Sequence, residues 1–149
     1  MTRRRLLPPV YLLISIVLMV ALHLVVPVRL LIGWPYRYLG VVLLVVGFGV
    51  NIWPGLYFKT AKTTVLPFER ASNLVTGGPF RLSRNPMYVG MVVMLMGVAV
   101  LLGSVTPWAL VLAFAVVIDR RFIVFEEKAM EETFGDAYRQ YKKRVRHWI

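Results

Sequence analysis

The sequence predicts an all-α integral membrane protein with four transmembrane helices and a cytosolic, amphipathic helical tail. Three observations predict it. Hydrophobic residues make up 58% of the 149 residues, with a mean hydropathy of +0.68, whereas a soluble domain holds about 45–50%. The apolar residues gather into four runs, each close to the roughly 20 residues that span a bilayer. The charge is strongly basic, 18 Lys+Arg against 7 Asp+Glu, and its placement follows those runs. The length suits a single domain, 1–149. A nucleic-acid module of this size would not carry so much apolar sequence, and the scarcity of polar low-complexity sequence excludes disorder. With no Cys there is no disulfide frame, thiolate metal site or cysteine nucleophile, and no metal is expected.

The first span covers about 6–32, broken only by His23 and Arg29. Arg3-Arg4-Arg5 ahead of it imitates a signal peptide, but the run is too long and lacks a small-x-small cleavage site. The second, about 38–58, contains Gly47 and Gly49, small residues that let helices approach, and Pro54 near its end. The third, about 86–102, ends at Gly103-Ser104. The fourth, about 105–125, carries Asp119-Arg120-Arg121 at interfacial depth. Four spans put both termini on one side. All of the 18 basic residues except Arg29 and Arg37 then fall on that side, which the positive-inside rule makes cytosolic. Trp34, Tyr36 and Tyr38, extended by Trp108, read as an aromatic belt at the other interface.

Beyond the fourth span Met130, Phe134, Tyr138, Tyr141, Val145 and Trp148 recur at spacings of three or four among Lys and Arg. Gly135-Asp136 divides the pattern, Gly as a helix end and Asp as the next N-cap. Two short helices against the cytosolic face are expected, with basic residues contacting anionic lipid. His23 suits a hydrogen bond between helices better than a catalytic base.

Four spans alone have no need of the 59–88 segment. Its Gly77-Gly78-Pro79 makes a compact turn, and Asn85-Pro86 is a helix start, Asn as N-cap and Pro at the first position. The free N–H groups there, with Arg81 and Arg84 nearby, suit an anion such as a carboxylate. A helix start with arginines as topology signals accounts for the same residues without a ligand. Glu126-Glu127 is a carboxylate pair just below the membrane surface, suited to hydroxyls or an amine. Salt bridges to Arg120, Arg121 or Lys128 are the alternative. By α-helical periodicity, 120, 123 and 127 share one face, as do 119 and 126.

Leu74-Val75-Thr76-Gly77-Gly78-Pro79-Phe80, then Arg84-Asn85-Pro86-Met87-Tyr88-Val89-Gly90, resembles the signature of the isoprenylcysteine carboxyl methyltransferases and their bacterial phospholipid methyltransferase-like relatives. Glu126-Glu127, Met130, Phe134-Gly135, Tyr138, Tyr141 and Lys142-Lys143-Arg144-Val145 resemble the family's second block in order and spacing. The likeness covers about 60–149, with cofactor blocks at 72–90 and 120–145.

The resemblance implies an S-adenosylmethionine-dependent integral membrane methyltransferase in a bacterial or archaeal cell membrane. The cofactor would enter from the cytosol, and a lipophilic acceptor would arrive from among the membrane lipids. It implies cofactor contacts from the backbone of 72–75, including Leu74 and Val75, and from Phe80, Asn85, Pro86, Met87, Tyr88 and Glu127. Arg84 and Glu126 would belong to the catalytic centre. Three positions depart from the family pattern: Asn85 stands for His, Phe80 for Tyr, and Ile123 for a substrate-side Arg. Arg120 or Arg121 would take over that substrate contact. The transferred methyl leaves a sulfonium, so in-line displacement needs chiefly positioning and desolvation. A sterol-type membrane reductase using NADPH and a non-catalytic membrane scaffold are the competing readings. Such reductases are usually longer, with more spans, and commonly carry Tyr-Gly-x-x-Trp in the tail where this chain has Phe134-Gly135-x-x-Tyr138.

Overall fold

The computed structural model describes residues 7–26, 28–61 and 74–149, and all their regular structure is helical. The expected backbone contacts at Ser72 and Asn73, like Arg3-Arg4-Arg5, lie outside the described residues.

Helix α1 (Pro8–Val25) opens with proline at its first turn, where a missing N–H costs nothing. It stops at Val25, seven residues short of the expected Ile32. Pro27 supplies the reason, since it removes a donor and disfavours helical geometry in the residue before it. The chain then turns through Arg29 at φ 43 and pairs Leu30 with Ser104 as an isolated bridge. The remaining 18 residues rise about 27 Å, still near the hydrocarbon thickness.

Helix α2 (Leu39–Ala61) continues past the expected end at 58 and carries Pro54 inside it. α1 and α2 are both long and apolar enough to cross a membrane. Their apolar faces stay open: Leu13, Val17, Leu24, Val45 and Phe48 are all more than half exposed. Helix α3 (Pro86–Leu102) matches the expected run and ends at Gly103, whose φ of 74 is the left-handed cap that glycine favours.

α3 is the central helix, packed against α2 most extensively and also against α1 and α4. Glycines set the α2–α3 separation. A Cβ on Gly90 would stand 2.6 Å from the Asn51 backbone N, and one on Gly47 would stand 2.7 Å from the Met94 N. The main core joins Met19 of α1, Tyr88, Met91 and Leu95 of α3, and Phe114 and Ile118 of helix α4 (Thr106–Ile118). At the far end His23 Nδ1 lies 2.7 Å from Ser104 Oγ. His23 thus bonds a neighbouring connection, in keeping with a structural role.

After α4 the rod does not end. Residues Asp119–Ile123 form a π-turn, and helix α5 (Val124–Phe134) follows with helical dihedrals at every junction. The first tail helix is therefore a prolongation of the fourth apolar run, rather than a separate segment laid on the surface. Gly135 at φ 52 then breaks the rod. Helix α6 (Asp136–Arg144) begins with Asp136 as its first residue, one place beyond the expected cap.

Candidate active site

Both motif blocks meet at the end of the bundle where α3 starts and α4 passes into α5. A second, smaller core makes the junction. Phe80, Tyr138 and Tyr141 are buried together, with Leu74, Val75, Met130, Phe134 and Val145 packed around them. The periodic apolar residues of the tail thus cover the loop before α3. Tyr141 Oη donates to the Phe80 carbonyl at 2.6 Å, and burial pushes its phenol up to about 12. The glycine turn is fitted closely to Tyr57. Gly78 sits at φ 56, and a Cβ there would meet the Tyr57 ring at 2.7 Å, so both conformation and space require glycine.

Asn85 and Pro86 hold the expected N-cap and first helical positions, but the Asn85 side chain does not cap α3. Ser83 Oγ accepts the Asn85 N–H at 3.0 Å. This leaves Asn85 Nδ2 to donate to Glu127 Oε1 at 3.2 Å and to the His147 carbonyl at 3.0 Å. Tyr88, one turn along α3, donates its hydroxyl to Glu126 Oε1 at 2.8 Å. Each member of the carboxylate pair is therefore held by a different residue of the first block. Burial raises the Glu126 carboxyl above its ordinary range, and the Tyr88 bond pulls it partly back. Pro86 is buried and the Met87 carbonyl accepts Asn51 Nδ2 at 2.8 Å, which anchors this start of α3 to α2.

Arg84 is the principal cation of the cluster. Its side chain is only 10% exposed, and Nε stands 3.4 Å from Glu127 Oε1. Nη2 lies 3.4 Å from His147 Nδ1. Among the described residues, Nε and Nη1 have no hydrogen-bond partner. Buried guanidinium donors are normally satisfied, so these two are the exception among the described residues.

The π-turn explains which acidic residues meet. In an unbroken α-helix, 119 and 127 would be about 80° apart around the axis. One residue of π-type insertion takes back about 100° and brings them nearly into line. The expected pairing of 119 with 126 is thereby corrected to 119 with 127. The expected common face of 120, 123 and 127 is broken as well: Arg120 is exposed, while Ile123 is fully buried in the core. Among the described residues Arg120 reaches only Asp119, at 4.0 Å, and Arg121 is exposed. Neither arginine enters the cluster.

The residue that the sequence did not single out is His147. Its Nδ1 is 2.9 Å from Glu127 Oε1, and its Nε2 is 2.6 Å from Asp119 Oδ1. The last residues are pinned to the first block, since the Arg146 carbonyl accepts the Arg84 N–H at 3.1 Å. Trp148 packs on the main core. A lone histidine after a Lys/Arg run has no periodic or motif signal, so only the fold reveals it. On its other side Glu127 lines an open cleft of about 450 Å³ between α5 and α6, with Val124, Lys128, Glu131, Arg139 and Lys142.

Comparison with known proteins assigns the chain to a family. The sequence profile described as phospholipid methyltransferase matches residues 36–137. A protein-S-isoprenylcysteine O-methyltransferase of Schizosaccharomyces pombe is 37% identical over 75 residues, 48% of this chain and 30% of the yeast protein. A rice protein (Oryza sativa subsp. indica) named "Probable protein-S-isoprenylcysteine O-methyltransferase" is 30% identical over 117 residues, 75% of this chain and 60% of its own length. A Haemophilus influenzae protein of uncharacterised function is 38% identical over 63 residues, 42% of this chain and all of its own. The chain thus spans less than two thirds of the length of the two named methyltransferases. No solved structure matches it. The profile covers more than half the chain and takes in the first motif block together with the Glu126-Glu127 pair, so the chain belongs to the phospholipid methyltransferase family.

Proposed function

We propose that this protein is an S-adenosylmethionine-dependent membrane methyltransferase acting on a lipophilic acceptor. The observation that carries the reading is the buried Arg84, whose Nε and Nη1 have no hydrogen-bond partner among the described residues and which stands beside the Glu127 carboxylate. This pair of opposite charges, about one hydrogen bond apart, fits the carboxylate and ammonium of an amino-acid end. When bound, S-adenosylmethionine supplies an electrophilic methyl group on a sulfonium. Arg84 and Glu127 would hold its amino-acid end, with Asn85 fixing the Glu127 carboxylate. Leu74, Val75 and Phe80 offer an apolar wall backed by Tyr138 and Tyr141. Pro86, Met87 and Tyr88 would border the same pocket from the start of α3.

Glu126 has a different task in this reading. Its raised carboxyl suits it to take a proton from an acceptor hydroxyl or amine, whereas an acceptor carboxylate has no proton to lose. Tyr88 keeps Oε1 oriented for that role. Arg120 and Arg121, exposed beside the cluster, suit an anionic part of the acceptor or lipid headgroups.

Four spans are supported by the apolar lengths of α1, α2 and α3 and by the rod of α4. The positive-inside count supports a cytosolic active site and cytosolic termini. The open apolar faces of α1 and α2 suit lipid, the phase from which a lipophilic acceptor would reach the site in a bacterial or archaeal cell membrane.

The test is calorimetric titration of detergent-purified protein with S-adenosylhomocysteine and, separately, NADPH. Binding of the first, lost in Glu127→Ala and Arg84→Met, is the expected outcome. Undiminished binding in both variants would sink the site assignment, and binding of NADPH alone would replace the reading with a reductase. Transfer of a methyl label into a lipid extract then identifies the acceptor class.

A further inference from the structure

We propose that His147 is a positioning residue of this site, with Asp119 holding its imidazole and the imidazole holding the Glu127 carboxylate. The inference rests on the proposed ligand-holding role of Glu127. Two ring nitrogens face two carboxylates, Asp119 Oδ1 at 2.6 Å and Glu127 Oε1 at 2.9 Å, and the ring donates to both when it carries two protons. The carboxylates bind opposite edges of the ring, so they do not converge on one point as metal ligands would. Among the described residues no metal-binding group is found.

The ring is itself fixed from three directions. Its own carbonyl accepts Asn85 Nδ2 at 3.0 Å, and the neighbouring Arg146 carbonyl accepts the Arg84 N–H. Trp148 anchors the other neighbour in the core. The charged groups facing the imidazole are therefore Asp119 from the π-turn, Glu127 from α5 and Arg84 from the loop before α3. Arg120 is paired at 4.0 Å with the outer carboxylate.

Positioning by such a chain has a physical purpose. A carboxylate on a helix surface retains rotamer freedom, and fixing it in advance lowers the ordering cost of binding. The π-turn supports this reading, because without it Asp119 would point about 80° away from Glu127. The inserted residue makes the relay possible and sits where functional π-turns are commonly found.

The test uses the full chain in detergent, S-adenosylhomocysteine as the probe, and proton–nitrogen spectra of histidine-labelled protein. The sequence has 2 histidines, so His147→Gln assigns both rings by removing one. Wild type is expected to show a hydrogen-bonded His147 ring N–H signal that disappears in Asp119→Ala. His147→Ala is expected to weaken binding about 10-fold or more, the range for a lost hydrogen bond to a charged group. His147→Gln, whose amide still donates, should recover part of that loss. Asp119→Ala, one step removed from the ligand, should weaken binding by about 3-fold or more.

Wild-type affinity in both His147→Ala and Asp119→Ala overturns the inference and leaves the function reading intact. Absence of binding by wild type overturns that reading and this inference together. If His147→Ala fails to fold, Asp119→Ala and the ring signal decide alone.

Discussion

Tyr88 Oη donates to Glu126 Oε1 across 2.8 Å, which ties α3 to α5 at the point where the two motif blocks meet. Tyr88 is 7% exposed and packs beside Phe122 in the main core, so its hydroxyl has little access to water. Tyr88→Phe keeps the ring and deletes only the bond. It should cost about 1–3 kcal/mol, the range for removing a partner from a charged group. It should also raise the Glu126 carboxyl further, since the bond is what lowers it. Denaturation in detergent measures the first effect and carboxyl-region infrared titration the second. An unchanged carboxyl titration would show that the bond does not form in solution.

Glu126 gives a pH dependence whose sign follows from burial. Its folded carboxyl titrates above the value of 4.5 expected for a free glutamate. Between the two values the folded chain keeps a proton that the unfolded chain has released, so unfolding free energy falls as pH rises through that window. Glu131 runs the other way. Lys142 and Arg139 lower its carboxyl, and its contribution fades as pH falls into the acid range. Comparing Glu126→Gln with wild type isolates the first effect. The variant should gain on wild type from about pH 4.5 up to the raised value of the folded carboxyl and hold a constant lead above it, and parallel pH curves throughout would exclude a raised Glu126.

The seam between α2 and α3 predicts opposite outcomes for two alanine substitutions. At Gly90 a methyl would press on the Asn51 N at 2.6 Å and the Gly47 O at 2.7 Å. Both atoms are backbone and can yield only if the helices part. Gly90→Ala should therefore destabilise by about 1–3 kcal/mol, as overpacking does. At Gly49 nothing lies within 4 Å, and Gly49→Ala should stabilise by about 0.5–1 kcal/mol through helix propensity. Thermal midpoints of the pair in one detergent decide the point. Equal shifts would mean that the helices do not approach as closely as the glycines allow.

These outcomes divide along what one-dimensional patterns encode. The start of α3 was legible because Asn85-Pro86 is a local signal, as was the break at Gly135, whereas the first block and Glu126-Glu127 were brought together only by the family resemblance and not by any local pattern. The end of α1 was misplaced because hydropathy continues through Val28–Ile32 while backbone geometry does not. Asp119 and Glu127 were assigned to different faces because periodicity assumes 3.6 residues per turn throughout, and no composition cue marks a π-turn. His147 was missed for another reason. Its role comes from contacts with Asp119 and Glu127, 28 and 20 positions away in sequence, and non-local contacts leave no local pattern.

Tyr141 provides a test of how tightly the tail closes over the first block. Its hydroxyl donates to the Phe80 carbonyl at 2.6 Å. Burial, with an added push from Glu127 and an opposing pull from Arg84, carries its phenol up to about 12. An unfolded tyrosine ionises near 10. From pH 10 to 12 the folded chain therefore holds a proton that the unfolded chain gives up, and stability falls as pH rises through that interval. Discounted for screening close to solvent, the loss from Tyr141 is about 1–2 kcal/mol. Tyr141→Phe removes both the bond and the titration. The variant should be about 1 kcal/mol less stable than wild type at neutral pH. It should then lose less than wild type above pH 10, with Tyr138, also raised by burial, supplying the slope that remains. Urea denaturation at a series of pH values follows the gap between the two proteins. Closure of that gap toward pH 12 is the expected result, and a gap that stays constant would place the Tyr141 hydroxyl in solvent, with the tail detached from Phe80.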